Sequence, residues 1–190
     1  MDIFTTSYNI QSEIKVGVEI EFLLLDYYEL FKLLIENNIY FKFCPQQFQG
    51  SAKEICIKPE FTIKGGIEIT LPPTCTFQQL QLICSICKNA TFTEKCAMHI
   101  HFVPKYELED YYKYYCKNEQ NIISAAKTQG LYSNLNQSIV DASTARSSNL
   151  NIYRSMEKHG TIEHRIYKAT FDYDKILWAI NQTKQIQELN

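Results

Sequence analysis

The chain has 190 residues, of which 45% are hydrophobic and 21% are charged, as expected for one soluble globular domain spanning residues 1–190. A formal net charge of −2 provides no basic field for nucleic acid, and no apolar stretch is long enough to cross a membrane. Because the N-terminal segment lacks a signal-peptide pattern, we expect a cytoplasmic protein whose seven cysteines are reduced.

Hydrophobic periodicity divides the chain into short strands and amphipathic helices, without repeats or long linkers. In chain order we predict a strand at 14–24, a helix at 26–37, a strand at 39–44, β-like runs at 53–58 and 60–64, a strand at 67–71, a helix at 76–88, a strand at 97–103, helices at 107–126 and 131–140, a strand at 161–167 and a helix at 172–188. This order predicts an α+β fold. We expect one mostly antiparallel sheet with helices packed on its apolar face and a free polar face.

Three local patterns refine this prediction. The Gly65-Gly66 pair predicts a hairpin that brings Glu60 close to Glu68. The CxxC spacing of Cys84 and Cys87 lies within a helical pattern, and no second CxxC or nearby histidine completes a zinc site. We therefore expect these two cysteines in the core, together with the stripe formed by Tyr111, Tyr112, Tyr114 and Tyr115.

The strand at 161–167 carries the most chemical information. Alternation places one set of side chains on its polar face, namely Thr161, Glu163, Arg165 and Tyr167. The other face carries Ile162, His164 and Ile166, which predicts His164 in the core, and His159 is expected in the preceding loop. A carboxylate beside a guanidinium can hold a divalent cation and an anionic oxygen together, as phosphoryl transfer requires.

Four predicted strands repeat this arrangement, with polar residues at i and i+2. The segments are Glu19-Ile20-Glu21, Glu68 with Thr70, His99-Ile100-His101 and Glu163-His164-Arg165. A solvated sheet face explains each pair alone, so the prediction depends on all four together. If the strands are neighbours, their carboxylates converge and repel one another, and bound cations would remove that repulsion. Carboxylates with a single histidine favour Mg²⁺ or Mn²⁺, whereas zinc would favour more histidine or cysteine.

These segments, in this order, resemble the amidoligase family, compact carboxylate–amine ligases related to glutamine synthetase and γ-glutamylcysteine ligase. The matching stretches are VGVEIEF at 16–22 for the opening GxExE strand, Glu60 with EITLP at 68–72 for the acidic hairpin, CAMHIHF at 96–102 for the C-G-x-H-V-H-V strand, and Asn151, HGTIEHR at 159–165 and Thr170 for the closing N…hGTIEFR…GT segment. Together they cover most of the chain, from residue 15 to about 172.

The resemblance implies a half-barrel, glutamine-synthetase-like core that binds ATP with two or three Mg²⁺ or Mn²⁺ ions. It implies metal ligation by Glu19, Glu21, Glu60, Glu68, His99 and Glu163. It implies catalysis by Arg165, Glu163 and His101, and contact with nucleotide or substrate by His99, Arg165 and Arg146. The implied reaction joins a carboxylate to an amine, on an amino acid, a peptide or a protein side chain.

The chain departs from the family pattern without losing a ligand. Ala97 stands where glycine is usual, His164 where phenylalanine is usual and Glu60 where aspartate is common, while Thr70-Leu71 replaces a Val/Ser pair. The short region between the HxH strand and the closing segment leaves the substrate pocket undefined. Two other functions stay open: a kinase for guanidino or carboxyl groups, and a non-catalytic nucleotide- or metal-binding module.

Overall fold

The protein is described here by a computed structural model that covers residues 12–23, 26–45, 53–133, 138–140 and 148–190. The strands in this part of the chain are β1 (Gly17–Leu23), β2 (Phe41–Phe43), β3 (Ile55–Glu60), β4 (Gly66–Leu71), β5 (Ala97–Phe102), β6 (Ser138–Val140), β7 (Ser148–Asn151) and β8 (Ile162–Lys168). The helices are α1 (Tyr27–Glu36), α2 (Phe77–Ile86), α3 (Leu108–Thr128), α4 (Tyr153–His159) and α5 (Tyr173–Gln187). None of these helices is long and apolar enough to cross a membrane.

All eight strands belong to one sheet in the order β2-β3-β4-β1-β5-β8-β7-β6. Neighbouring strands are antiparallel except for the two outermost pairs, β2–β3 and β6–β7, which are parallel. The predicted α+β class with a mostly antiparallel sheet is confirmed. Strand β1, which is first in the sequence, lies near the centre of the sheet between β4 and β5.

One face of the sheet forms the hydrophobic core. On β1, Val18, Ile20 and Phe22 are completely buried, and they belong to one apolar cluster with residues from the helices. Helix α5 packs on β5, and α3 packs on β8 and on α5. Because side chains alternate between the two faces along a strand, the intervening β1 residues, Glu19 and Glu21, lie on the opposite face.

Three of the predicted helix starts are confirmed by capping hydrogen bonds. The Asp26 side chain accepts a hydrogen bond from the Tyr28 backbone N–H at 2.8 Å, ahead of α1. Thr76 and Gln79 form a reciprocal capping box at the start of α2. Asp172 caps α5 by accepting a hydrogen bond from the Lys175 backbone N–H. Polar side chains thus satisfy backbone donors that each helix leaves unpaired.

The predicted core positions are confirmed for the paired cysteines and for half of the tyrosine stripe. Cys84 and Cys87 are buried in the apolar cluster. Tyr111 and Tyr115 are completely buried, whereas Tyr112 and Tyr114 pack against the cluster while partly exposed.

His164 is also in the core, as predicted, and it is fully hydrogen-bonded. Its Nδ1 atom lies 3.1 Å from Thr183 Oγ1, and its Nε2 atom lies 3.4 Å from the Tyr115 hydroxyl. Burial lowers the pKa of this imidazole from its usual 6.5 to about 3, so the ring is neutral at physiological pH.

Two predicted elements are wrong. Residues 60–64 do not form a strand, because Glu60 ends β3 and the chain then turns back to Gly66. The predicted helix at 131–140 is not formed in the described residues. Tyr132 makes an isolated β-bridge to Tyr167, and residues 138–140 form strand β6. Pairing with the edge of the sheet outweighs the local helical pattern at this site.

The predicted position of Tyr167 beside Glu163 and Arg165 is also wrong. In the β5–β8 ladder, Met98 pairs with Tyr167 and Ile100 pairs with His164, so β8 has one extra residue at a bulge. Tyr167 therefore shares the core face with His164, and its hydroxyl donates to the Ala179 carbonyl at 3.3 Å. The bulge reverses the alternation beyond Arg165 and restricts the polar part of β8 to its first half.

Replacing His164 with phenylalanine should change how stability depends on pH. The unfolded chain takes up a proton near pH 6.5, whereas the folded imidazole stays neutral to about pH 3. As pH falls through this window, the wild-type free energy of unfolding should therefore decrease relative to that of His164→Phe. The expected decrease is about 1.4 kcal/mol for each pH unit. Urea denaturation of both proteins between about pH 7 and pH 4 measures this difference, and a pH-independent difference would contradict the assignment.

Candidate functional site

Strand register brings the predicted polar residues together as direct neighbours. Glu21 lies opposite Glu68 in the β1–β4 ladder, and Glu19 lies opposite His99 in the β1–β5 ladder. His101 in turn lies opposite Glu163 in the β5–β8 ladder. Four consecutive strands, β4-β1-β5-β8, thus present their acidic and imidazole side chains on one face.

This face lines a cavity of about 1210 Å³. Eight of the nine predicted site residues border the cavity, and they are Glu19, Glu21, Glu60, Glu68, His99, His101, Glu163 and Arg165. The ninth, Arg146, lies outside the described residues. The polar face is not left free as predicted, because α4 borders the same cavity through Arg154, Ser155 and Lys158.

The first acidic group consists of Glu21, Glu60 and Glu68, each of which offers one carboxylate oxygen within 4.8 Å of the other two. Backbone and hydroxyl donors hold two of them in place. Glu21 Oε2 accepts from the Ala97 backbone N–H at 2.9 Å. Glu60 Oε1 accepts from the Thr62 backbone N–H at 2.8 Å and from its hydroxyl at 2.6 Å. The hairpin prediction that Glu60 lies close to Glu68 is confirmed.

The second group has Glu19, His101 and Glu163 within the same 4.8 Å limit. His99 belongs to this group as well, since its Nδ1 atom lies 3.5 Å from Glu19 Oε2 and 3.2 Å from Glu163 Oε1. Glu163 is oriented further by Asn151, whose amide donates to Oε2 at 2.8 Å, and by Arg165, whose Nη1 donates to Oε1 at 2.6 Å. Glu19 and Glu163 were expected to have one histidine, His99, as their neighbour. In the structure both His99 and His101 contact these two carboxylates.

The two groups differ in their electrostatics. Burial opposes the charge of Glu19, but His101 and His99 outweigh it and hold the Glu19 pKa well below its usual value. The pKa of Glu163 is also lowered, because His99 and Arg165 together outweigh its burial. In the first group, burial raises the pKa of Glu68 to about 7, and repulsion from Glu19 adds to that rise. The positive charge near the first group therefore does not fully offset the burial and mutual repulsion of its carboxylates.

Polar atoms in the cavity provide a test of whether divalent cations fit. Asn151 Oδ1 is buried and has no hydrogen-bond partner among the described residues, whereas the buried His101 Nε2 lies 3.5 Å from Glu19 Oε1. Buried polar atoms normally have partners, and Asn151 Oδ1 is an acceptor that could ligate a cation. The two groups together contain five carboxylates and two imidazoles, which is the oxygen-rich, histidine-poor donor set that suits Mg²⁺ or Mn²⁺. The residues present fit such ions.

Sequence reasoning did not identify Lys58 as a site residue. Lys58 lies opposite Glu68 in the β3–β4 ladder, and its Nζ lies 2.8 Å from Glu68 Oε1. Burial opposes the charge of this ammonium, but Glu68 and Glu19 outweigh it and raise the Lys58 pKa. Because Lys58 precedes Glu60 by two residues on the same strand, the i, i+2 rule could have identified it.

Several residues of α4 border the cavity, and one of them is not where it was expected. His159 is the last residue of α4 rather than a loop residue, and its ring centroid lies 5.8 Å from that of His101. Arg154 and Lys158, on the same helix, also line the cavity. These residues reach the cavity because α4 packs beside the polar face of the sheet. No local sequence pattern predicted this position of α4.

Comparison with known proteins adds no relative: no family model, no curated protein and no solved structure matches the chain.

Cation binding should depend on the first acidic group. Mn²⁺ should raise the melting temperature of the wild-type protein, and Glu68→Gln should weaken Mn²⁺ binding by at least about tenfold, since outer-shell changes alone cost about 10–100-fold. Glu29→Gln, at an exposed position on α1, is the matched control and should bind as the wild type does. Isothermal titration calorimetry measures both affinities. Equal affinities of wild type and Glu68→Gln would exclude Glu68 as a ligand.

Cation affinity should also increase with pH. Below about pH 7 the Glu68 carboxyl holds a proton that an incoming cation must displace, whereas above that pH the carboxylate is free. Mn²⁺ affinity should therefore fall as pH is lowered from about 8 to 6, with protons released on binding. Calorimetry in two buffers of different ionisation enthalpy measures the number of protons released. A pH-independent affinity without proton release would contradict the raised pKa.

Proposed function

We propose that this protein is an ATP- and Mg²⁺-dependent carboxylate–amine ligase of the amidoligase type, built on a glutamine-synthetase-like half-barrel sheet. The observation that supports this most directly is the convergence of five carboxylates, two histidines and one arginine on the cavity face of five adjacent strands, β3-β4-β1-β5-β8. Those side chains come from the segments that resemble the family's motifs, in the same order along the chain.

The proposed reaction proceeds in two steps. A carboxylate is a poor acylating agent, because its leaving group would be oxide. Transfer of the γ-phosphoryl group of ATP to a carboxylate oxygen gives an acyl phosphate. The bond between the γ-phosphorus and the bridging oxygen breaks, and ADP is the leaving group. The amine nitrogen then attacks the acyl carbon, loses a proton and expels inorganic phosphate, which leaves an amide.

Divalent cations, when bound, would reduce the repulsion between the anionic carboxylate substrate and the triphosphate. In this proposal Glu21, Glu60 and Glu68 hold one ion. The second ion is held by Glu19 and Glu163 with an imidazole, His99 being the ligand that the resemblance implies. His101 also borders that group, since its Nε2 lies 3.5 Å from Glu19 Oε1 and 3.9 Å from Glu163 Oε1.

Arg165 is the residue proposed to stabilise charge on the transferred phosphoryl group. Its side chain is 22% exposed on the cavity wall, and its Nη1 contacts Glu163 at 2.6 Å. A planar guanidinium donates two parallel hydrogen bonds to phosphate oxygens, which an ammonium cannot do. Glu163 thus orients a cationic group beside the position proposed for the second ion.

The cavity is large enough for two substrates. Its volume of about 1210 Å³ exceeds the roughly 300–1,000 Å³ typical of pockets for one small molecule. Arg154 and Lys158 are four residues apart on α4, and their side chains border the cavity. These two cations are proposed to attract the anionic ends of the nucleotide or of the carboxylate substrate, the latter together with Arg146.

The ligase proposal predicts ATP-dependent amide formation. Protein incubated with ATP, Mg²⁺, a series of amino-acid and peptide carboxylates, and hydroxylamine as a general amine should yield a hydroxamate and inorganic phosphate in equal amounts. Glu163→Gln and Arg165→Lys should each lower kcat by at least about 100-fold, since both act where charge develops. Glu29→Gln should retain wild-type activity, because it lies on an exposed face of α1.

Three results would contradict the proposal. A stable phosphorylated product without hydroxamate would indicate a kinase. Binding of ATP·Mg²⁺ without turnover of any carboxylate would indicate a non-catalytic nucleotide-binding module. Unchanged phosphate release by Glu163→Gln would exclude the assigned site, even if the reaction itself occurs.

A further inference from the structure

Two cysteines at the edge of the sheet lie in direct contact. Cys56 is buried on β3, and Cys44 directly follows the edge strand β2 and is partly exposed. Their Sγ atoms are 2.9 Å apart. The parallel β2–β3 ladder holds them there, because Lys42 pairs with Cys56 and the Cys44 backbone N–H donates to the Ile57 carbonyl at 2.9 Å. No other sulfur–sulfur contact occurs among the seven cysteines, all of which lie in the described residues.

This pair is also connected to the acidic cavity. Cys56 precedes Lys58 by two residues, so their side chains leave β3 on the same face. Cys56 lies opposite Thr70 in the β3–β4 ladder. Thr70 Oγ1 donates to Glu68 Oε1 at 3.1 Å, and Lys58 Nζ contacts the same oxygen at 2.8 Å. Two strand neighbours of Cys56, namely Thr70 and Lys58, therefore contact the Glu68 carboxylate directly.

We propose that Cys44 and Cys56 form a reversible disulfide that ties strand β2 to β3 and strengthens cation binding by the first acidic group. The bond requires little displacement, because the sulfur atoms already lie within about 1 Å of covalent distance. The disulfide itself does not depend on the proposed function, whereas its effect on the cavity depends on the cation site included in that function.

The chemistry balances with a disulfide oxidant such as glutathione disulfide. The Cys44 thiolate attacks one sulfur of the oxidant, forms a mixed disulfide and releases one glutathione thiolate, which takes up a proton. The Cys56 sulfur then attacks Cys44 Sγ, expels the second glutathione and passes its own proton to it. Two protein thiols are oxidised and one glutathione disulfide is reduced to two glutathiones.

The environments of the two sulfurs assign the order of these steps. Cys44 is accessible to an oxidant, whereas burial raises the pKa of Cys56 to about 12 and keeps it a thiol until a mixed disulfide forms beside it. Cys75, Cys84 and Cys87 are buried in the core without a sulfur in contact. Cys116 is exposed on α3 and serves as a matched control for accessibility.

The disulfide is tested by mass spectrometry of the full chain. The folded protein is equilibrated in glutathione buffers of increasing oxidation, free thiols are alkylated, and non-reducing peptide maps are recorded. We expect loss of the mass of two hydrogen atoms and a cross-link between the Cys44 and Cys56 peptides, in wild type and in Cys116→Ser. Cys44→Ser should not form the cross-link. A wild-type protein that stays fully alkylatable, or that links other cysteines, would overturn the proposal.

The effect on the cavity is tested with Mn²⁺ titrations of the reduced and oxidised proteins. A disulfide between β2 and β3 would pre-organise the β3–β4 hairpin. The oxidised wild type should therefore bind Mn²⁺ at least about twofold more tightly than the reduced wild type. Cys116→Ser should respond to oxidation as the wild type does, and Cys44→Ser should not respond. Unchanged or weaker binding in a protein shown by mass to be cross-linked would overturn the coupling. Failure of the ligase assay would not alter either result.

Discussion

Mutual repulsion among buried carboxylates is the constraint on which the rest of this structure depends. Six glutamates line one cavity, five of them on the sheet, and three of these five are more than nine-tenths buried, namely Glu60, Glu68 and Glu163. Near β8 the repulsion is offset by His99, His101 and Arg165, which hold the Glu19 and Glu163 pKa values low. Near β4 Lys58 opposes it, with a smaller contribution from His99, and the Glu68 pKa still rises to about 7. This remaining imbalance is the physical basis for the proposed cation site.

The core supports that charged face rather than competing with it. Apolar side chains at alternate positions of β1 pack in the core on one face of the sheet. On the other face, hydrogen bonds within the cavity orient the acidic side chains. Glu21 is held by a backbone N–H of β5, Glu60 by the turn that follows β3, and Glu163 by Asn151 of β7. Since each acid is held by a different element, the geometry of the cavity depends on the whole sheet. Preorganisation of this kind is what electrostatic catalysis requires.

Much of the fold and of the candidate site could be predicted because both follow from local periodicity. The pairs at Glu19 and Glu21 and at His99 and His101 needed only the two-residue repeat of a strand. Tyr167 was predicted on the wrong face of β8 because a bulge arises from the pairing of two strands. The sequence of one strand alone does not reveal it. Lys58 was overlooked because its role depends on lying opposite Glu68 across a hairpin.

The sequence by itself determined most of the side chains that leave each strand together, the starts of α1, α2 and α5, and most of the core, because these depend on neighbours within a few positions. Only the tertiary structure decided that β4, β1, β5 and β8 are adjacent, that α4 folds over the polar face, and that Cys44 lies against Cys56. The physical reason is that strand order and register are set by hydrogen bonds and packing between segments far apart in the chain.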